Sequence, residues 1–224
     1  MNAFWVFLSV IAFGLLHSLL ASLTAKALAR QWLGRRLADG LYRLFYNLVA
    51  ALSVLPPLAL AVLLPDGPAL WRLPAPLLFV TIPLQLAAVA GMIVSLWRVD
   101  LPRFVGVRQL LRLLVNYPDP RDLPVLRTDG VHGWVRHPLY FFSLVLIWLL
   151  PVMTPNFLAL NVGVTLYFWI GSIYEERKLV REFGEVYRAH QARVPRLLPW
   201  LSKSPGARRR EQPRPPRDID SRAS

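Results

Sequence analysis

Two short stretches concentrate the side chains that do chemistry. The first, Thr128-Asp129-Gly130-Val131-His132-Gly133-Trp134-Val135-Arg136-His137-Pro138-Leu139-Tyr140, holds a guanidinium, two imidazoles and a phenol. Proline suits the first turn of a helix, where its missing N–H would have no partner anyway, so a helix is expected to start beside Arg136 and His137. A helix N-terminus next to an arginine makes a seat for an anion. The plainer reading is that both residues cap the helix and meet lipid headgroups. The second stretch, Tyr174-Glu175-Glu176-Arg177-Lys178-Leu179-Val180-Arg181-Glu182-Phe183-Gly184-Glu185-Val186-Tyr187-Arg188, is mostly charged. Its Glu176, Val180, Phe183 and Tyr187 recur at helical spacing, which predicts one face of a continuous helix with an acid on the apolar stripe. The simpler account is that Glu175 and Glu176 pair with neighbouring cations on a solvated surface.

The elements that must position these clusters are membrane spans. Hydrophobic side chains make up 55% of the 224 residues, too many for an ordinary soluble domain. Phe4 to Leu23, Leu44 to Leu64 and Ala75 to Trp97 each reach the ~20 residues needed to cross a ~30 Å hydrocarbon core. The first is too long for a cleavable signal and has no basic segment before it, so it is expected to remain as a span. Leu139 to Leu150 and Phe157 to Ile173, joined by Pro-Val-Met-Thr-Pro-Asn, predict a helical hairpin. Its first arm reaches only roughly 18 Å at about 1.5 Å per residue, so it must start earlier, tilt or be shielded by protein. The expected fold is all-α: a polytopic membrane protein with about five transmembrane helices and a C-terminal helical hairpin extending into the cytosol. Both cytosolic ends of an antiparallel hairpin lie on one side, which brings Arg136 and His137 towards the depth of Glu175.

The formal net charge of +13 is distributed as a topology signal. Of the 26 Lys and Arg residues, 25 fall after the first span, between Arg98 and Arg136, or beyond Glu175; the exception is Arg72. The positive-inside rule then puts the N-terminus outside and the C-terminus in the cytosol. No DNA-binding motif competes with this, and no nucleic-acid partner is expected; membrane lipids are. The absence of cysteine removes disulfides, thiolate metal ligands and a cysteine nucleophile, and no metal site is expected. One domain spans residues 1–202, and the polar, Pro-rich stretch 203–224 is expected to be a disordered basic tail.

At these residues the chain resembles the isoprenylcysteine carboxyl methyltransferase-like membrane methyltransferases, a family that includes phospholipid methyltransferases. The resemblance rests on Arg136-His137-Pro138-Leu139-Tyr140, the hairpin, Glu175-Glu176, Phe183-Gly184-Glu185-Val186-Tyr187 and Val194-Pro195-Arg196, and covers about residues 128–199. Phe13-Gly14-Leu15-Leu16-His17-Ser18 and Phe104-Val105-Gly106-Val107-Arg108-Gln109 look like the bacterial methanethiol S-methyltransferase and NnrU-like branch. The resemblance implies a bacterial inner-membrane enzyme that takes S-adenosylmethionine at the cytosolic end of the hairpin and a small thiol or lipidic methyl acceptor from the membrane side. It also implies roles: His137, Pro138 and Tyr140 contact the cofactor, Glu176 with Glu175 binds its polar half, Tyr187 closes the pocket, and Arg136 takes part in catalysis. Val131-His132-Gly133-Trp134 departs from the Gly-Pro-Tyr of relatives.

Methyl transfer to sulfur needs a thiolate, and a thiol with a pKa near 8.5 is mostly protonated at neutral pH. Arg136 would favour the thiolate, and a free His137 imidazole would accept the proton. Two other readings compete. His17, inside the first span, would ligate haem with His132 or His137 in an NnrU-like protein, or simply bond another helix. A non-catalytic membrane assembly protein would keep the spans and bind no cofactor.

Overall fold

A computed structural model describes residues 1–97, 100–115 and 126–199. The expected tail 203–224 lies outside the described residues, as do Arg98 and Arg121 of the basic loop. Helix α1 runs Asn2–Ala21, α2 Leu23–Ser53, α3 Leu55–Leu63 and α4 Ala75–Trp97. Two short helices follow, α5 Leu101–Val105 and α6 Val107–Val115, then α7 Pro138–Trp148, α8 Pro155–Phe183 and α9 Glu185–Arg193. Four helical stretches among the described residues are long and apolar enough to cross a membrane: 2–21, 23–63, 75–97 and 155–183.

The second stretch is longer than any single crossing requires, and it is not straight. At Gly34 the backbone takes φ 76° and ψ 155°, which breaks α2 into two limbs. The first limb carries Lys26 and Arg30 together with exposed Leu23, Leu28 and Trp32. The second limb runs on into α3, and the whole stretch 23–63 is long and apolar enough to cross a membrane. The span expected from Leu44 to Leu64 is thus two helices, because Pro56 and Pro57 start a new helix at Leu55.

Helix α7 begins at Pro138, one residue before the apolar run, and spans only 11 residues. Its shortness is met by shielding: Phe141, Phe142 and Leu144 are buried, and Phe141 and Phe142 share a core cluster with Ala88 of α4 and with Val135. The close approach of α4 and α7 depends on Gly91, where an added Cβ would fall 2.5 Å from the Phe142 ring. A second cluster, Val6, Val10, Ala61 and Leu160, binds α1, α3 and α8.

The Pro-Val-Met-Thr-Pro-Asn link is more than a turn. A two-residue strand β2 (Val152–Met153) pairs antiparallel with β1 (Trp71–Arg72), so the α3–α4 and α7–α8 links are stitched together at one end of the bundle. Asn156 reinforces the join by donating from its side chain to the Leu64 carbonyl at 3.3 Å. Asn161 Nδ2 donates to the Ile147 carbonyl at 2.8 Å, tying α8 to the last turn of α7. The opposite end of the bundle holds the charged clusters.

The helix expected to continue through Tyr187 stops at Phe183. Gly184 takes φ 56° and ψ −130°, a left-handed φ that side chains other than glycine rarely adopt, and α9 starts afresh at Glu185. Gln191, seven residues beyond the break, donates to Glu176, eight residues before it, at 2.9 Å. Helix α9 therefore folds back along the end of α8, and Glu176 and Tyr187 face each other's helix rather than sharing a stripe.

Candidate functional site

Arg136 and His137 precede the first turn of α7, and their backbone is held from across the site. The Arg136 N–H donates to the Pro195 carbonyl at 2.9 Å and the His137 N–H to the Arg196 carbonyl at 3.2 Å. The segment after α9 is thereby laid beside the segment before α7. This explains why two motifs almost sixty residues apart belong together.

Their side chains converge on two adjacent carboxylates. Arg136 Nε donates to Glu176 Oε1 at 2.7 Å, and its Nη1 donates to the carbonyls of Gln191 (2.9 Å) and Val194. His137 Nε2 lies 3.3 Å from the same Glu176 oxygen, and Nδ1 lies 3.4 Å from Glu175 Oε2. Glu176 Oε2 receives Gln191 and stands 3.5 Å from Arg196 Nε. Tyr140 donates to Glu175 Oε2 at 3.2 Å. The side chains of Arg136, His137 and Glu176 are 9%, 6% and 5% exposed, whereas that of Glu175 is 48% exposed.

Both Glu176 oxygens are held by the chain's own cations and amide. His137 is not a free imidazole. Burial alone would lower its pKa, but the hydrogen bonds and charges of Glu175 and Glu176 outweigh burial and raise it above the ordinary value of 6.5. Both ring nitrogens already face carboxylate oxygens, so the ring is engaged rather than open to take a proton from a substrate. Haem ligation through His137 would require this clamp to open, since both ring nitrogens face carboxylate oxygens.

An aromatic ladder leads from the clamp into the bundle. His137 stacks on Tyr140 with centroids 5.3 Å apart and planes 5° from parallel, and Tyr140 stacks on Phe168 at 4.5 Å and 6°. Tyr187, expected to close the pocket, is buried with its hydroxyl unpartnered among the described residues, and burial raises its pKa. Pro138 is buried under the same turn. Gln191, Arg196 and Phe168 were not singled out by residue type. Arg196 alone left a signal, in the Val194-Pro195-Arg196 motif. Among the described residues, no group of three His, Asp or Glu side chains is arranged to hold a metal ion.

Comparison with known proteins gives the site a context. The chain is 30% identical to methanethiol S-methyltransferase 1 of Bradyrhizobium diazoefficiens over 182 residues, covering 80% of this chain and 62% of that protein. It is 40% identical to methanethiol S-methyltransferase of Pseudomonas deceptionensis over 102 residues, 46% of this chain and 38% of that protein. A more distant match is nurim of Xenopus laevis, 28% identical over 132 residues, 57% of this chain and 46% of that protein. The chain thus spans less than two thirds of the length of these relatives. No family model matches, and no solved structure matches. The motif residues that build the clamp thus stand in a chain similar to methanethiol S-methyltransferases and, more distantly, to nurim.

Proposed function

We propose that the chain is an integral membrane methyltransferase that uses S-adenosylmethionine, with a small thiol as acceptor. The observation that carries the reading is the clamp of Arg136, His137, Glu175 and Glu176 at the head of the aromatic ladder, in a chain similar to methanethiol S-methyltransferases. The donor set suits the cofactor. Half-exposed Glu175 can accept from ribose hydroxyls or an ammonium group, the orphaned Tyr187 hydroxyl offers a buried polar contact, and Tyr140 and Phe168 offer π faces to a cation or an adenine ring. When bound, the cofactor supplies an electrophilic methyl group on a sulfonium.

The chain's own residues then divide the work. Arg136 and Glu176 position: they fix the end of α9 against α7 and hold the His137 ring. His137 faces Glu175 at 3.4 Å and orients its carboxylate. Glu175, Tyr140 and Tyr187 contact the cofactor. Bringing two reactants into line supplies most of such an acceleration. The acceptor enters from the bundle side of the ladder. A five-span topology in a bacterial inner membrane, with the clamp in the cytosol, accompanies this reading: α7 makes the fourth crossing under the shield of α4.

The experiment is a labelled-methyl transfer assay on the full chain in detergent or liposomes, offered a small alkanethiol, a lipid amine and a prenylated carboxylate. Transfer to the thiol alone is expected. Label on the lipid amine or the carboxylate alone would move the acceptor class, and no transfer together with no binding of S-adenosylmethionine would refute the enzyme reading.

A further inference from the structure

The clamp leaves a gap in the chemistry: transfer to a thiol releases a proton, and His137 is already engaged with two carboxylates. The ladder continues to a second imidazole. Phe168 contacts Tyr167 at 5.8 Å, and the Tyr167 ring meets the edge of His17 at 5.9 Å and 89°. His17 in α1 is hydrogen-bonded to the Tyr46 hydroxyl of α2, its only hydrogen-bond partner among the described residues. The rings of His17 and Tyr46 lie 4.9 Å apart, and Phe13 packs on both His17 and Tyr167. Gly14 lets this happen, because a Cβ there would sit 3.0 Å from the Tyr167 ring. Tyr42, one turn before Tyr46, donates to the Leu20 carbonyl at 2.6 Å and fixes the register of α1 on α2.

The depth is informative. Tyr167 precedes Glu175 by eight residues on α8, which is about 12 Å of helix rise. His17 therefore lies on the membrane side of the carboxylates, at the far end of an unbroken run of rings, where a small apolar acceptor would arrive. It is half-buried, and the Tyr46 hydroxyl makes its short contact to Nε2 and stands 3.4 Å from Nδ1, so its single proton bonds one ring nitrogen at a time.

Resting on the thiol-methylation reading, we infer that His17 is the base that receives the acceptor's proton and that Tyr46 is the positioning residue that fixes its tautomer. The S–H bond breaks as its proton passes to His17 Nδ1, the ring nitrogen farther from the Tyr46 hydroxyl. The sulfur's electron pair forms the new S–C bond to the methyl carbon, and the old C–S bond breaks with its pair returning to the donor sulfur. The resulting imidazolium donates to the Tyr46 oxygen and later returns its proton to water. The titratable groups facing His17 are Tyr46 and Tyr42 on α2 and Tyr167 on α8, with Glu175 two turns further along α8.

The test uses the full chain in detergent, His17→Gln and Tyr46→Phe variants, and ethanethiol as the probe. His17→Gln is expected to lower kcat at neutral pH by roughly 100-fold or more while leaving S-adenosylmethionine binding intact. Its rate should climb with pH as the thiol ionises unaided, whereas the wild-type rate levels off. Tyr46→Phe should cost about 10-fold in kcat, a smaller effect because the base remains. Calorimetric binding of ethanethiol without the donor is the second readout, expected to weaken in His17→Gln. Wild-type kcat and unchanged thiol binding in His17→Gln would leave His17 a helix link and overturn the inference. Should His17→Gln not fold, an unaltered kcat and pH profile in Tyr46→Phe would overturn it equally. If the wild type methylates no thiol, the thiol-methylation reading fails by itself. The binding arm then decides for His17: wild-type ethanethiol binding lost in His17→Gln retains it as a thiol site, and any other result discards it.

Discussion

Replacing Glu176 by Gln keeps the shape of the side chain and removes the charge at the centre of the clamp. Three positively charged or protonated partners, Arg136, His137 and Arg196, lie within 3.5 Å of its oxygens, and Arg136 is itself only 9% exposed. Removing one partner of a buried ion pair leaves an uncompensated buried charge, which costs about 3–5 kcal/mol. The cost falls locally, because Arg136 and Glu176 together hold Gln191, Val194 and the segment through Arg196. Residues 185–196 should therefore open more readily. Hydrogen exchange of the amides of α9, followed by mass spectrometry, should rise by roughly 100- to 4,000-fold, since about 1.4 kcal/mol is a factor of ten. Glu175→Gln is the control: its side chain is 48% exposed, so its loss should cost only about 0–1 kcal/mol and leave α9 protected. The two variants should separate cleanly. Glu175→Gln should weaken S-adenosylmethionine binding with α9 intact, whereas Glu176→Gln should loosen α9 and lose binding as a consequence. Equal exchange in Glu176→Gln and wild type would refute the clamp as the element that holds α9.

Other outcomes follow from the same contacts. The His137 pKa is raised in the folded chain, so its contribution to stability is fully present below about 6.5 and is lost as pH rises through the higher folded value. Protection of α9 should fall between neutral and alkaline pH, and His137→Gln should flatten that dependence. Arg136→Lys keeps a charge but loses the planar fork that reaches both Glu176 and the carbonyls of Gln191 and Val194; turnover should drop more than cofactor affinity in paired kinetic and binding measurements. Gly91→Ala should lower the unfolding temperature, because its Cβ would meet the Phe142 ring at 2.5 Å and overpacking costs about 1–3 kcal/mol; an unchanged thermal midpoint would count against the tight α4–α7 contact. Reporter fusions at Val115 and Pro199 should both signal from the cytosol, and an external signal at either would overturn the orientation.

The apolar runs, the asymmetry of the basic residues and the start of α7 at Pro138 were legible in the amino-acid sequence, because span length, charge and proline geometry are local properties. So was the partnership of Arg136 and His137 with Glu175 and Glu176, since an antiparallel hairpin of that length brings its ends level. What periodicity alone misjudged was Tyr187: the helical spacing is real on both sides of Gly184, and a single left-handed φ sends α9 back along α8. That reversal brings Gln191 and Arg196 to the carboxylate of Glu176. Nor does any local pattern pair His17 with Tyr46 and Tyr167, residues from three helices whose meeting depends on how α1, α2 and α8 pack at Gly14. Which stretches are long and apolar enough to cross a membrane, and which carry charge, is written in local composition. Which of those charges pair with one another emerges from the packing of α7, α8 and α9, because pairing depends on distances between segments that no run of residues encodes alone.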